Sequence, residues 1–325
     1  LVVRFGASRL TVRHALDRLE QAGFITRLRG KGTFVRANQP TPNHSEPGRS
    51  IIGWATAGMD QTTALVLRSG QEVTRERNLH HLITDCDGHD PAFDLERIRL
   101  LIQLGVLGLI ICPFSTLTAI QFYQQVLASG LPLVFTDSRL AGVEADVVTT
   151  DNLEAACRGT EALILSGCRR IAFCASHPDA WTSQERLAGC RKALWSKQLD
   201  LHPDLLRIGP LRRDFGAETA RWLLAHQPSV DGWFFAHHVH AEGAIDVLRQ
   251  RQAAGKPIPH VCSFDILDHS LTDRFSLISV RQPFAEIGRQ AVRLLLTRID
   301  ERLTGAERAP WKHVTIPAEI ALPHA

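Results

Sequence analysis

Apolar and polar positions change rhythm three times along the chain. From Ser8 onward, Val12, Ala15, Leu16 and Leu19 recur at helical spacing while Arg9, Arg13, His14, Asp17 and Arg18 fall off that stripe, the pattern of an amphipathic helix. Ser8 is placed to cap its N-terminus and Gly23 to close it, and Gly6 would turn the chain from a preceding helix ending in LVVRF. Two short β-prone runs, FITRL and TFV, follow, joined by RGKG, whose backbone permits a tight hairpin tip. Helix, turn, helix and basic hairpin over residues 1–36 predict a small winged helix-turn-helix. Residues 37–50, ANQPTPNHSEPGRS, are rich in proline and poor in apolar side chains, and read as a solvated linker.

Beyond residue 50 apolar β-type runs alternate with helical stretches, first from IIGWATA to LPLVFTD and again from DVVTTDN to HVCSFD. Such alternation predicts parallel sheets flanked by helices. The fold class is therefore α/β, and the repetition divides residues 51–325 into two lobes with a ligand cleft at the carboxyl ends of the strands.

Composition adds little until charge is divided along the chain. The 325 residues are 44% hydrophobic and 22% charged, with a net charge of +3. Residues 1–36 hold eight Lys or Arg against Asp17 and Glu20, a net +6, so the remainder carries −3. A basic head on a slightly acidic body implies a polyanion partner for the head alone. No run of about 18 apolar residues occurs, and LVVRFGASRL has no leader-type pattern, so a cytoplasmic protein with no membrane partner is expected. The seven cysteines form no C-x-x-C pair and are expected to be buried, reduced thiols.

The anion sought by the head is read from RLRGKGTF, residues 27–34. A nucleotide-phosphate loop would need a glycine where Ile25 stands and a Ser or Thr where Gly32 stands, so the spacing excludes it. In the winged layout the second helix presents its first residues to the major groove, which places Ser8, Arg9, Thr11 and Arg13 at the reading end, Arg9 and Arg13 as base or phosphate contacts. Arg27, Arg29 and Lys31 would act on phosphates, with Gly30 and Thr33 in the same hairpin. FGASRLTVRHALDRLEQAGFITRLRGKGTFV closely resembles the DNA-binding segment of the GntR family. Members of that family carry a further segment upstream, so the resemblance implies a head that starts inside its second helix and looks truncated.

The body resembles the effector domain of the LacI family, itself similar to periplasmic sugar-binding proteins of type I, from about Ile51 to Ile320. The resemblance rests on RSGQEVTRERN, DCDGHDPAFDLERIRLLIQLGVLGLIICP, VTTDNLEAA, SQERLAGCRKAL, VCSFD and ISVRQPFAEIGRQAVRLLL. It implies an N-terminal lobe over residues 51–149 and 282–305 and a C-terminal lobe from the rest. A guanidinium and carboxylates at strand ends suit vicinal hydroxyls, and Arg186, Asp265, Asp137 and Gln282 stand where family members place such contacts. Asp60 and Gln61 match pocket-lining positions, and Trp181 or Phe215 would supply a stacking face. One departure is FFAHHVHAEGA, in which His237 and His238 replace an Asn-Asp pair usual in the family. Imidazoles there would suit an acidic or phosphorylated ligand. A metal held by His237, His238 and His240 is not expected, because adjacent positions point apart and no acidic partner is evident. At the C-terminus, Pro323 stands where an arginine commonly follows the last strand.

The two resemblances together imply a ligand-responsive transcription repressor, as in arabinose-repressor-type hybrid regulators. The expected partners are operator DNA, a second copy of the chain, and an effector that is a sugar, sugar phosphate or sugar acid, with no cofactor. The linker stands in place of the LacI hinge helix, so coupling is expected through head spacing. A sugar-binding receptor or transport component would fit the body alone, but the basic head and the lack of a leader-type pattern oppose it. An enzyme acting through the histidines lacks a nucleophile motif or phosphate loop.

Overall fold

A computed structural model of the chain describes residues 8, 11, 12, 14–16, 25–28, 32–35, 50–86, 90–265 and 277–323. The chain divides into two units, Leu1–Glu46 and Pro47–Ala325.

In the first unit Ser8 begins the helix as its residue type predicts. Its Oγ accepts from the Thr11 N–H at 3.1 Å and its carbonyl from the Val12 N–H at 3.0 Å. Strands β1 (Ile25–Leu28) and β2 (Gly32–Val35) pair antiparallel, with Ile25 opposite Val35 and Leu28 opposite Gly32. Gly6, Arg9, Arg13, Gly23, Arg29, Gly30, Lys31 and linker residues 37–49 lie outside the described residues.

In the second unit the chain runs β3 (Ile51–Thr56), α1 (Gln61–Thr74), β4 (His80–Asp85), α2 (Pro91–Gln103), β5 (Leu109–Ile111), α3 (Leu117–Ala128), β6 (Leu133–Thr136) and β7 (Asp146–Thr150). A second series follows: α4 (Asn152–Leu165), β8 (Ile171–Ser176), α5 (Trp181–Ser196), β9 (Leu206–Gly209), α6 (Arg213–His226), β10 (Gly232–Phe235), α7 (His238–Ala253), β11 (His260–Phe264) and β12 (Ile278–Arg281). The chain ends with α8 (Phe284–Thr304), β13 (His313–Ile316) and β14 (Glu319–Ala321). Two six-stranded sheets result, ordered β13-β7-β6-β5-β3-β4 and β14-β12-β11-β10-β8-β9, parallel except for β14.

The apolar strand runs are explained by burial on both faces. In the first sheet Leu109, Ile111, Leu133 and Phe135 pack under α2 and α3 with Leu95, Ile98 and Tyr123. Their neighbours Ile110 and Val134 point the other way, against Leu67 of α1 and Ile287, Ala291 and Leu295 of α8. The second sheet repeats the arrangement, with Phe173 and Phe264 toward α4 and α5 and Cys174 and Phe235 toward α6 and α7. Helix starts follow cap chemistry: Asp60, Asp90, Thr116 and Asp151 each accept a first-turn N–H. The seven cysteines are free, six buried and Cys112 half-buried. Burial pushes the thiols of Cys86, Cys168, Cys174 and Cys190 up to about 12.

The lobe boundary is corrected at one place. The N-terminal lobe does not end near residue 305, because β13 rejoins the first sheet beside β7, His313 opposite Val147 and Ile316 opposite Thr150. The chain therefore crosses between lobes three times, after Thr150, near Gln282 and near Ala318. A buried ion pair holds the returning segment. Arg298 of α8 donates Nε to Asp146 at 2.6 Å and Nη2 to its other oxygen at 2.8 Å, and also bonds Glu301 and the carbonyls of Ala309 and Pro310. Asp146 accepts the Lys312 N–H at 2.8 Å, just before β13.

With side-chain exposures of 2% and 0% for Arg298 and Asp146, Arg298→Ala leaves an uncompensated buried carboxylate. The expected loss is about 3–5 kcal/mol in denaturant unfolding. A loss below about 1 kcal/mol would mean that the pair does not anchor β13.

Candidate functional site

The carboxyl ends of the two sheets face a cavity of about 190 Å³. By liquid volume that holds on the order of six waters, so the space suits a small molecule. Arg186, in the second turn of α5, is 3% exposed and dominates the wall. Its Nε donates to Asn152 Oδ1 at 2.7 Å, Nη1 donates to the Ala236 carbonyl, and the guanidinium lies 3.8 Å over the Phe264 ring. Helix α5 comes this close to α4 because residue 189 is glycine: a Cβ there would fall 2.1 Å from the Leu153 carbonyl.

Two carboxylates flank the guanidinium from opposite lobes. Asp137 follows β6 and Asp265 follows β11, and both adopt left-handed backbone, φ 67° and 59°. Asp265 accepts the Gln282 N–H at 3.2 Å and Gln282 Nε2 at 2.6 Å. The Asp137 side chain has no hydrogen-bond partner among the described residues, which leaves it free to accept from a ligand. Burial pushes both carboxyls above their ordinary value, and the Arg186 charge pulls each back. Burial lowers Arg186 in turn, against the two carboxylates.

His237, the N-cap of α7, meets Ser176 Oγ at 2.9 Å through Nε2. Burial first, then Arg186 and neighbouring histidines, hold it well below the usual imidazole value, so the ring is neutral. His238 also lines the cavity. His240 turns inward: its Nε2 faces the Pro210 carbonyl at 2.9 Å and must carry the proton, so Nδ1 accepts from the Cys174 thiol at 3.6 Å.

Comparison with known proteins places this arrangement. The pattern of the family described as "Periplasmic binding protein-like domain" matches residues 160–321, and that of "Bacterial regulatory proteins, gntR family" matches residues 1–35. The chain thus carries a GntR-type segment at residues 1–35 and a periplasmic binding protein-like stretch at residues 160–321. It is similar to the HTH-type transcriptional regulator CelR of Thermobifida fusca, 33% identical over 54% of the chain and 52% of that protein, so it spans about half of that relative's length. It is also similar to the arabinose metabolism transcriptional repressor of Geobacillus stearothermophilus, 25% identical over 92% of the chain and 83% of the repressor. Among solved structures, a CelR–cellobiose complex has a TM-score of 0.71 at 23% identity, covering 97% of this chain and 90% of that one. The Cra regulator of Pseudomonas putida with fructose 1-phosphate has a TM-score of 0.73 at 19% identity, covering 85% and 99%. At these identities the structural likeness is one of fold.

Arg186, Asp265, Asp137, Gln282 and His237 all line the cavity. Asp60, Gln61, Trp181 and Phe215 are not on it. Asp60 caps α1 through the Thr63 N–H at 2.9 Å, and its neighbours Thr62 and Thr63 reach the cavity in its place. Phe215 packs edge-on against His240 inside the C-terminal lobe, and the Arg139 guanidinium lies 5.2 Å over the Trp181 ring. The aromatic faces on the wall are Trp54 and Phe284, which sequence reasoning missed. The available signal was Trp54's place near the carboxyl end of the first strand.

Trp54 is oriented by a relay that predicts a pH effect. Its Nε1 donates to His81 Nδ1 at 2.9 Å, so His81 Nε2 carries the ring proton and donates to Thr74 Oγ1 at 2.9 Å. Burial, with His80 nearby, lowers His81 to about 4. A lowered histidine stabilises the fold in full above the unfolded value near 6.5, and that contribution is lost as pH falls from there to about 4. Between pH 7 and pH 4.5 the wild type should lose about 1–2 kcal/mol more than His81→Gln, a figure reduced for the ring's partial exposure. Parallel thermal-unfolding profiles for the two proteins would contradict this.

Proposed function

We propose that the chain is a ligand-responsive transcription regulator, a repressor whose operator affinity changes when a small sugar or sugar derivative binds between the lobes. The observation that carries this reading is Arg186 held between carboxylates from opposite lobes, a donor and acceptor set suited to vicinal hydroxyls that is completed when the cleft is closed. Relatives named for repression, and solved relatives holding cellobiose, fructose 1-phosphate and ribose, support the same class. Neutral His237 and the two carboxylates favour an uncharged polyhydroxyl ligand over a phosphorylated or acidic one. Trp54 and Phe284 supply its apolar faces.

The head supports DNA as the partner. Ser8 and Thr11 stand at the exposed start of the helix, and Thr33 is exposed on the hairpin. Arg9, Arg13, Arg27, Arg29, Gly30 and Lys31 complete the proposed DNA contacts, with residues 1–36 as the DNA-binding domain, 37–50 as the linker and 51–325 as the effector and dimerisation domain. A homodimer presents two heads to two half-sites, and the exposed stripe Phe93, Leu100 and Leu104 on one side of the α2 segment is a candidate surface for the second copy. Among the described residues no helix is long and apolar enough to cross a membrane, and a DNA partner puts the protein in the cytoplasm. A regulator is favoured over an enzyme because the relatives are regulators by name. It is favoured over a transport receptor because of the basic head.

In gel shifts with DNA from upstream of its own gene, Arg29→Ala and Lys31→Ala should each weaken binding and lower the salt slope by about one. Sugar binding should stay unchanged, and an unaltered salt slope in both variants would remove the wing from the interface. In a thermal-shift screen of sugars, sugar phosphates and sugar acids, a neutral sugar should raise the midpoint and alter the gel shift at a two-to-one protein-to-DNA stoichiometry. Stabilisation without any effect on DNA binding would instead support a receptor.

A further inference from the structure

At the first crossover, the last residue of β7 and the first of α4 are not on the cavity wall: Thr150 and Asn152, each 1% exposed. Each is bonded to a group that is on it. Thr150 Oγ1 donates to Gln282 Oε1 at 2.7 Å, and Gln282 Nε2 donates onward to Asp265 Oδ2 at 2.6 Å. Asn152 Nδ2 donates to the Thr150 carbonyl at 3.1 Å, which turns its Oδ1 toward Arg186 Nε at 2.7 Å. The directions are forced by chemistry. A reversed Gln282 amide would set its oxygen against the Asp265 carboxylate, and a reversed Asn152 amide would set an N–H against the guanidinium. The Asp265 carboxylate fixes the Gln282 amide and the Thr150 carbonyl fixes the Asn152 amide, while the Thr150 hydroxyl, donating to Oε1, holds Gln282 in that orientation.

We infer that Thr150 and Asn152 are positioning residues for effector binding: a single crossover residue, through its hydroxyl and its carbonyl, orients both the Asp265 carboxylate and the Arg186 guanidinium. A ligand that engages these two groups therefore acts on the strand joining the lobes, which couples cleft occupancy to lobe angle. This inference rests on the proposed regulator reading only in naming the ligand's effect. The hydrogen-bonded arrangement itself is tested without ligand.

The titratable groups that act on Asp265 are Arg186 from α5 and His238 from α7, and Arg186 also interacts with Asp137. Gln282 lowers Asp265 while burial raises it. Losing the Gln282 Nε2 bond raises the carboxyl further, so the penalty is small where Asp265 is protonated and grows as pH rises through its titration. Thermal unfolding of the full chain, followed from the most acid pH at which it stays folded up to pH 8, reads this. Thr150→Val, which keeps shape but removes the donor, should lower the midpoint by on the order of 3 °C more at pH 8 than at the acid end. Thr150→Ser, which keeps the hydroxyl, should lose the same amount at every pH and show no extra loss at pH 8, and in an Asp265→Asn background the extra loss of Thr150→Val at pH 8 should disappear. An equal loss at both pH values, or one that persists in the Asp265→Asn background, would reduce Thr150 to a packing residue and overturn the inference. If Thr150→Val is not recovered folded, Thr150→Ala carries the same comparison. Because neither sugar nor DNA enters the readout, a failed sugar screen leaves this result standing, and a failed pH comparison leaves the regulator reading standing.

Discussion

A guanidinium removed from water must be surrounded by acceptors and countercharge, and Arg186 imposes that constraint on the body. Burying an unpaired charge is prohibitive, and a buried pair is tolerated only when its remaining hydrogen-bonding capacity is met. The first crossover supplies Asn152, β10 leads into the Ala236 carbonyl, and β11 ends in the Phe264 ring and Asp265. The last countercharge, Asp137, comes from the other lobe. A cleft closed around one cation in this way holds its two halves by electrostatics as well as by three strands of backbone.

The two sheets share one strand order, and the shared order explains why the carboxylates meet. β6 and β11 occupy matching places, and each runs into an aspartate in left-handed backbone. A non-glycine residue in that region is strained, though aspartate tolerates it better than most, and such strain concentrates where function fixes the geometry. The symmetry is broken by Arg186, which only the C-terminal lobe supplies. The site is therefore built from one repeated feature and one unrepeated one.

The histidine-rich segment after β10 shows how neighbours in sequence separate in space. His237 stands at the N-cap position of α7 and is held neutral at the cavity, His238 begins the helix on the cavity wall, and His240 turns into the core to bond Pro210 and Cys174. An acidic ligand attracted by imidazolium charge, as the sequence first suggests, finds at His237 an uncharged ring. The same substitution leaves a donor and acceptor pair in which the proton's position depends on the Ser176 hydroxyl.

Local pattern alone determined the Ser8 cap, the β1–β2 hairpin and the doubly buried strands, because these depend on periodicity and chemistry within a few residues; Arg186, Asp137, Asp265 and Gln282 were legible through the resemblance to the LacI-family effector domain. Period-two alternation states which face of a strand a side chain takes but not how near the cleft it lies, so it does not separate Trp54, on the cavity, from Trp181 and Phe215, which are off it. The return of β13 to the first sheet depends on Arg298 reaching Asp146, 152 positions away in the chain. Thr150 and Gln282 are separated by 132 positions and Asn152 and Arg186 by 34. Only the tertiary structure decided those meetings, because a hydrogen bond is set by the distance and direction that strand register and crossover geometry create, and neither is written in the spacing of residues along the chain.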